Sequence, residues 1–285
     1  MYYVPKTLFS IDTNAKTVKG QKYGVKTAVL YLAPARLAFD ALGIDGTMCA
    51  MSELAQCEGP CLNRAGRGQF DKIQTARINK TVYFLLDRVG FMRHLAFEIG
   101  RFVSTARAEG FTPMVRLNGT QDHRWELEPV EIDGVEHPNL MTAFPDVQFY
   151  DYTKLLGRQL PSNYHLTFSL SETNQDKAAK AMAQGMNLAV VFDHIPLMWQ
   201  GKPVISGDED DLRFLDPSNH VIGLQAKGLA VNSQSIFIQR TTYGKPTSSL
   251  VPRITGRRHG SGGKGGGASI PRQRRAHHQS NSLSR

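Results

Sequence analysis

Short apolar runs rich in β-branched residues recur along the chain, at Ala28–Leu32, Met114–Leu117, Val147–Tyr150, His165–Phe168, Leu188–Phe192 and Val221–Leu224, with a briefer one at Val204–Ile205. Continuous apolar runs, rather than strict alternation, suit strands buried on both faces. Stretches of helical period lie between some of them. Phe70–Leu86 is one; Phe91–Ala108 is another, with Phe91, Leu95, Ile99, Phe102 and Val103 on one stripe. A third, Asp176–Gln184, stops at Gly185, a residue suited to a helix C-terminus. Asp71 and Asp87 fall near the expected helix starts, where a carboxylate meets free backbone N–H groups. Strands alternating with helices predict an α/β fold with a parallel sheet, either open or wound as a partial (βα)6-type barrel.

In such folds the loops that follow the strands carry the chemistry. Here they are strongly polar: Asn118–Asp122 after the second run, Asp151–Lys154 after the third, Ser169, Ser171 and Glu172 after the fourth, Ser206–Asp211 after Ile205, and Gln225–Gly228 after Leu224. A rim built of Asn118, Asp122, Asp151, Lys154, Ser169, Asp208 and Lys227 is the candidate substrate or cofactor site. The acid run Asp208, Glu209, Asp210, Asp211 has two readings. It could hold magnesium or manganese in a phosphate-processing enzyme. The plainer reading, and the preferred one, is a helix N-terminus ahead of Leu212–Leu215.

Composition changes the picture at the C-terminus. The 285 residues carry a formal charge of +9, from 34 Lys and Arg against 25 Asp and Glu. Nine of the basic residues and none of the acidic ones lie in 241–285, so the remainder is balanced at 25 of each. Two parts are therefore expected. Residues 1–240 form a single α/β domain; residues 241–285, rich in Gly, Ser and Arg, lack the apolar residues needed to offset ordering entropy and should be a disordered tail. Its arginines, among them Arg257, Arg258, Arg272, Arg274 and Arg275, could make weak, non-specific contact with nucleic acid by neutralising phosphates, or could simply keep the chain solvated. No apolar run approaches the roughly 20 residues that span a bilayer, and the N-terminus has no secretory h-region. The expectation is a protein of the cytoplasm with no membrane contact and reduced thiols.

All three cysteines fall in one 13-residue window, Cys49, Cys57 and Cys61. Thiolates grouped at short spacing suit zinc or an iron–sulfur cluster. A structural zinc wants four protein ligands, whereas three cysteines fit a 4Fe–4S cluster with one iron left open to a small molecule, which is the favoured reading. After the window, Arg64, Arg67, Arg77 and Lys80 lie near Gly66 and Gly68 ahead of a helix. This could be an anion-binding turn, or a turn followed by a solvated helix face. The histidines are scattered, and neither a GxSxG elbow nor a GxxxxGK[ST] loop is present.

Several segments, in order NAKTVKGQKYG, LYLAPA, CEGPCLNRAGRGQF, TARINKT, RLNGTQD, FPDVQFYDYTK, NYHLTFSLSE, GMNLAVVF, ISGDEDDLRFLDP and VIGLQAKG, resemble the bacteriophage gene product 88 family. That resemblance implies expression inside an infected bacterium, in the host cytoplasm, and names no reaction. A more distant one is to radical S-adenosylmethionine enzymes, which carry three cysteines in a loop after the first strand of a partial barrel. It implies S-adenosylmethionine as a second cofactor, bound at the cluster of Cys49, Cys57 and Cys61 and lined by the polar strand ends, with the substrate open. The competing reading is a non-catalytic protein that binds nucleic acid or a host protein, with zinc or bare thiols stabilising the loop.

Overall fold

A computed structural model describes residues 2–13, 15–55, 63, 66–227, 231 and 235–241, with residues 16 and 67 described by backbone alone. Cys57, Cys61, Gly228 and the tail arginines named above lie outside the described residues.

Twelve strands are present among the described residues: β1 (Phe9–Ile11), β2 (Val25–Leu30), β3 (Thr112–Arg116), β4 (Val130–Ile132), β5 (Val135–His137), β6 (Gln148–Thr153), β7 (Tyr164–Ser169), β8 (Leu188–Phe192), β9 (Met198–Trp199), β10 (Lys202–Ser206), β11 (Val221–Gln225) and β12 (Ile238–Gln239). The helices are α1 (Ala15–Lys19), α2 (Leu37–Leu42), α3 (Ser52–Ala55), α4 (Asp71–Leu86), α5 (Arg88–Ala108), α6 (Leu140–Ala143) and α7 (Gln175–Ala183). All seven apolar runs become strands, and all three helical stretches become helices, as α4, α5 and α7.

One large sheet dominates, in the order β1-β2-β3-β6-β7-β8-β11-β10-β9, with β12 beside β8. From β2 to β10 neighbouring strands are parallel; β1 and β9, on the two edges, are antiparallel. The sheet is thus a mostly parallel one, wound in sequence from β2 to β8. The order then departs from sequence: β11 lies between β8 and β10. Nor is β10 buried on both faces, since its residues are part-exposed or exposed throughout. It lies next to the edge, where only β9 covers it.

Side chains alternate across a strand, and the two faces of this sheet differ in kind. On one, Ala28, Leu30, Val115, Phe149 and Leu166 pack with Phe91, Leu95, Ile99 and Phe102 of α5, and Phe168, Leu188 and Val190 pack with Ala178 and Ala181 of α7. Successive parallel strands joined by same-handed crossovers place their helices on one side. The stripe on α5 is buried as its period predicts, and the helix starts where Asp87 accepts a hydrogen bond from Gly90 N at 2.9 Å. Gly185 takes a positive φ of 84° just past α7.

The other face is covered by a segment, not by a helix layer. Val25, Met114 and Tyr150 pack with Leu212, and Phe214 lies against the Tyr150 ring. The acid run therefore does not open a helix: a three-residue 3-10 turn, Arg213–Leu215, follows it. Three of its four carboxylates are spent on cations. Asp211 meets Arg116, Asp210 meets Arg213, and Asp208 meets Lys227. The buried pair of Asp211 with Arg116, 95 residues upstream, decides this geometry, and a helix-dipole argument, being local, does not see it.

Candidate functional site

Parallel strands deliver their C-terminal ends to one side, and the polar residues there form a connected rim. Asn118, just past β3, is almost fully buried and holds its own loop: its Oδ1 accepts from His123 N and Trp125 Nε1, and its Nδ2 donates to His123 O. Asp122 reaches across to β6, where its Oδ2 accepts from Lys154 N at 2.7 Å, and its Oδ1 lies 3.6 Å from Arg158 Nη1. Arg158 in turn makes a two-point contact with Glu126, from Nε at 3.0 Å and Nη2 at 2.5 Å. Burial works against ionisation of Glu126, but Arg158 outweighs it and holds that carboxyl below its ordinary value.

Asp151, expected in the loop after its strand, lies inside β6 instead, paired with Leu166 of β7 and completely buried. Its oxygens accept from Leu117 N, Asn118 N and Tyr164 OH, so it ties β3, β6 and β7 together. Burial pushes its carboxyl up to about 6, against the opposing pull of Arg116, whose Nε is 3.8 Å away.

Cys49 belongs to this rim. It forms an isolated parallel bridge with Asp122, Asp122 N donates to Met48 O at 3.1 Å, and the Cys49 carbonyl accepts from Ser52 N and Oγ. The thiol-bearing segment thus begins beside the ends of β3 and β6. Its next turn, α3, crosses towards β7, where Thr173 Oγ1 donates to Leu54 O. Among the described residues, no three His, Cys, Asp or Glu side chains are grouped to hold a metal ion.

The remaining rim residues fall into a second group. Asp208 Oδ1 is 2.8 Å from Lys227 Nζ and its Oδ2 accepts from Gln225 N, which joins the ends of β10 and β11. Ser169 lies between the groups, at the end of β7. The structure therefore brings together Cys49, Asn118, Asp122, Asp151 and Lys154 in one cluster and Asp208 with Lys227 in another.

Of the basic residues expected at an anion-binding turn, Arg64 lies outside the described residues and Arg67 is described by its backbone alone. Arg77 and Lys80 are buried, not facing solvent: Arg77 Nη1 donates to Asn63 O and Oδ1, and Lys80 Nζ to Leu8 O. Both cations are committed to backbone carbonyls, so neither is free for an anion.

The composition of the sheet's segment-covered face went unremarked in the apolar runs. Arg116 stacks over the rings of Tyr150 and Tyr152. Next to them on β7 stand His165 and Thr167, opposite Tyr150 and Tyr152 in register. Thr167 Oγ1, His165 Nε2 and, just past the strand, Ser171 Oγ are buried without a hydrogen-bond partner among the described residues. A hydroxyl left in that state costs about 1–3 kcal/mol. The sequence signal for this face was one arginine inside an apolar strand, at position 116.

Over residues 7–241 the chain matches the family model described as Gene product 88. Comparison with curated proteins and with solved structures gives no match.

Proposed function

Because the chain belongs to the gene product 88 family, a description that assigns no reaction, we propose its function from the rim: an enzyme of radical S-adenosylmethionine type, with a 4Fe–4S cluster on Cys49, Cys57 and Cys61. The observation that carries the reading is the pairing of Cys49 with Asp122, which puts the start of the three-thiol window at the C-terminal ends of parallel strands. Catalysis on such sheets is concentrated at that end. The donor set fits the group in kind, three thiolates for iron. Bound there, the cluster would supply an electron at an iron left open for S-adenosylmethionine. The chain's own residues do the rest. Asp122, held by Lys154 N and Arg158, fixes the rim beside Cys49.

The divalent-metal reading of the acid run is set aside, since Asp208, Asp210 and Asp211 each already have a cation. The test is anaerobic purification of the full chain, with iron, sulfide and zinc analysis and an absorption spectrum. A brown protein with iron and sulfide in equal proportion, lost in Cys49→Ala, is expected. Zinc alone, or thiols without any metal, would favour a structural thiol loop in a non-catalytic binding protein, and either result would sink the cluster reading.

A further inference from the structure

The arm Tyr2–Ile11, which ends in β1, is gripped mainly by its backbone. Glu98 on α5 accepts from two successive amides, Leu8 N to Oε1 at 2.8 Å and Phe9 N to Oε2 at 3.0 Å. Lys80 on α4 donates to the carbonyl between them, Leu8 O, at 2.6 Å. His94 Nε2, one turn away on α5, lies 3.1 Å from Glu98 Oε1 and braces that carboxylate. Past this clasp β1 runs antiparallel to β2, with Phe9 opposite Leu30 and Ile11 opposite Ala28. Leu8 and Phe9 are buried in the same core cluster as Phe91 and Leu95. Tyr2 adds a hydrogen bond to Asp87 and a ring stacked on Tyr83. Main-chain bonds with two apolar anchors are how a sheet edge recognises an extended chain, and none of them depends on how the arm is joined to the body. The joint is the awkward part. Asp12, directly after β1, has a φ of 56°, in the left-handed region that disfavours residues other than glycine. Gln21 Nε2 at 2.6 Å and Lys26 Nζ at 3.3 Å hold its carboxylate there.

We propose that the arm Tyr2–Ile11 exchanges between two copies of the chain, each laying its β1 on the partner's β2 and its backbone in the partner's clasp of Lys80 and Glu98. The contacts of β1 and of Leu8 are the same in the closed and the exchanged forms, so exchange is a low-cost route to a dimer. The balance then rests on the joint, which loses its left-handed residue on straightening, set against the cost of association. An arm that lifts away leaves β2 as an open sheet edge, a template for another strand. A second copy carries the segment that fits both this edge and the clasp. The inference is independent of the cluster reading.

The experiment uses the full chain. Ser10 and Val29 face each other across β1 and β2, at a spacing that a disulfide can bridge. Ser10→Cys and Val29→Cys are made in separate chains, mixed at high concentration and mildly oxidised. A cross-link between position 10 of one chain and position 29 of the other, located by mass spectrometry, is expected in the mixture and in neither variant alone. Light scattering of the wild type should show a dimer that grows with concentration. The dimerisation constant should differ by about tenfold or more between Asp12→Val, strained in the left-handed region and so the tighter dimer, and Asp12→Gly, which is at ease there. Should Val29→Cys fail to fold by circular dichroism, the two Asp12 variants decide alone. A wild type that stays monomeric at every concentration, a dimer of folded variants without the cross-link, or equal constants for Asp12→Val and Asp12→Gly would overturn the inference.

Discussion

Arg116 on β3 donates from Nη1 to Asp211 Oδ2 at 2.5 Å, across 95 residues of sequence. The pair is buried on both sides, with 9% and 4% of the side chains exposed, and the guanidinium also covers the rings of Tyr150 and Tyr152. This one contact fastens the acid run against the sheet. Breaking a buried pair by removing one partner strands the other charge and costs about 3–5 kcal/mol. Arg116→Met and Asp211→Leu should each lower the unfolding free energy by that order. The double variant should recover part of it, since Arg116 and Asp211 no longer strand each other, the remainder being the loss of Arg116 from Asp151, 3.8 Å away. Chemical denaturation of the four proteins checks this; additive losses would mean that the pair does not act as a unit.

Asp151 gives stability a pH dependence of unusual sign. Its carboxyl is raised from an ordinary 3.8 to about 6 by burial. Between those values the folded chain therefore holds a proton that the unfolded chain has released. The Asp151 contribution is fully present below about 4 and is lost as pH rises through about 6. Most acids act the other way. Asp151→Asn removes this titration, so the slope of unfolding free energy against pH between 4 and 6 should shift upward relative to wild type. Denaturant titrations at several pH values measure it; parallel wild-type and variant curves would show that Asp151 ionises normally.

The cap on α5 gives a smaller and cleaner test. Asp87 accepts from Gly90 N and from Tyr2 OH, the latter at 2.6 Å. Loss of a capping carboxylate costs about 1 kcal/mol, or about 2–4 °C in Tm for a domain of this size. Asp87→Ala should show that loss and Asp87→Asn much less of it. Gly90→Ala should destabilise as well, because a Cβ there would stand 2.2 Å from the Asp87 carboxylate. An unchanged Tm in both Asp87→Ala and Gly90→Ala would remove the cap from the account.

The strands were legible because burial writes itself locally. The apolar runs Val147–Tyr150, which feeds β6, and Leu188–Phe192, which forms β8, lie between two covered faces. The α5 stripe was legible for the same reason at a different period. Strand order was not, since nothing in Val204–Ile205 or Val221–Leu224 says that β11 will lie inside β10. The rim was legible in part: Asp122 follows β3 and Lys154 follows the neighbouring β6, and parallel strands must deliver them to one side, whereas Asp151 lies within β6. Their partners were not, because Arg158 and Glu126 are 32 residues apart and meet only when β6 lies beside β3. The acid run misled for a related reason. Its carboxylates look like a dipole cap or a metal site from within, and the arginine that claims Asp211 belongs to a strand far upstream.

The tail is the last point to test, and its argument is electrostatic. Residues 241–285 carry nine basic and no acidic side chains, while the rest of the chain is balanced. Thr241 still belongs to the body, its N and Oγ1 donating to Asp193, so the cut belongs after Thr242. If the nine cations bind nucleic acid, they do so by displacing counterions from phosphates, and the logarithm of affinity falls linearly with the logarithm of salt at about 0.7–0.9 per neutralised phosphate. Removing 243–285 should flatten that slope and weaken binding to any RNA or DNA alike, because contacts to phosphates carry no sequence information. The Tm should barely change, as the truncated segment lacks the apolar residues to pack on the domain. Filter binding of one duplex and one single strand across a salt series, with and without the tail, reads both quantities. Equal slopes would reduce the tail to a solvating extension, and a fall in Tm of several degrees would show that it packs on the domain after all.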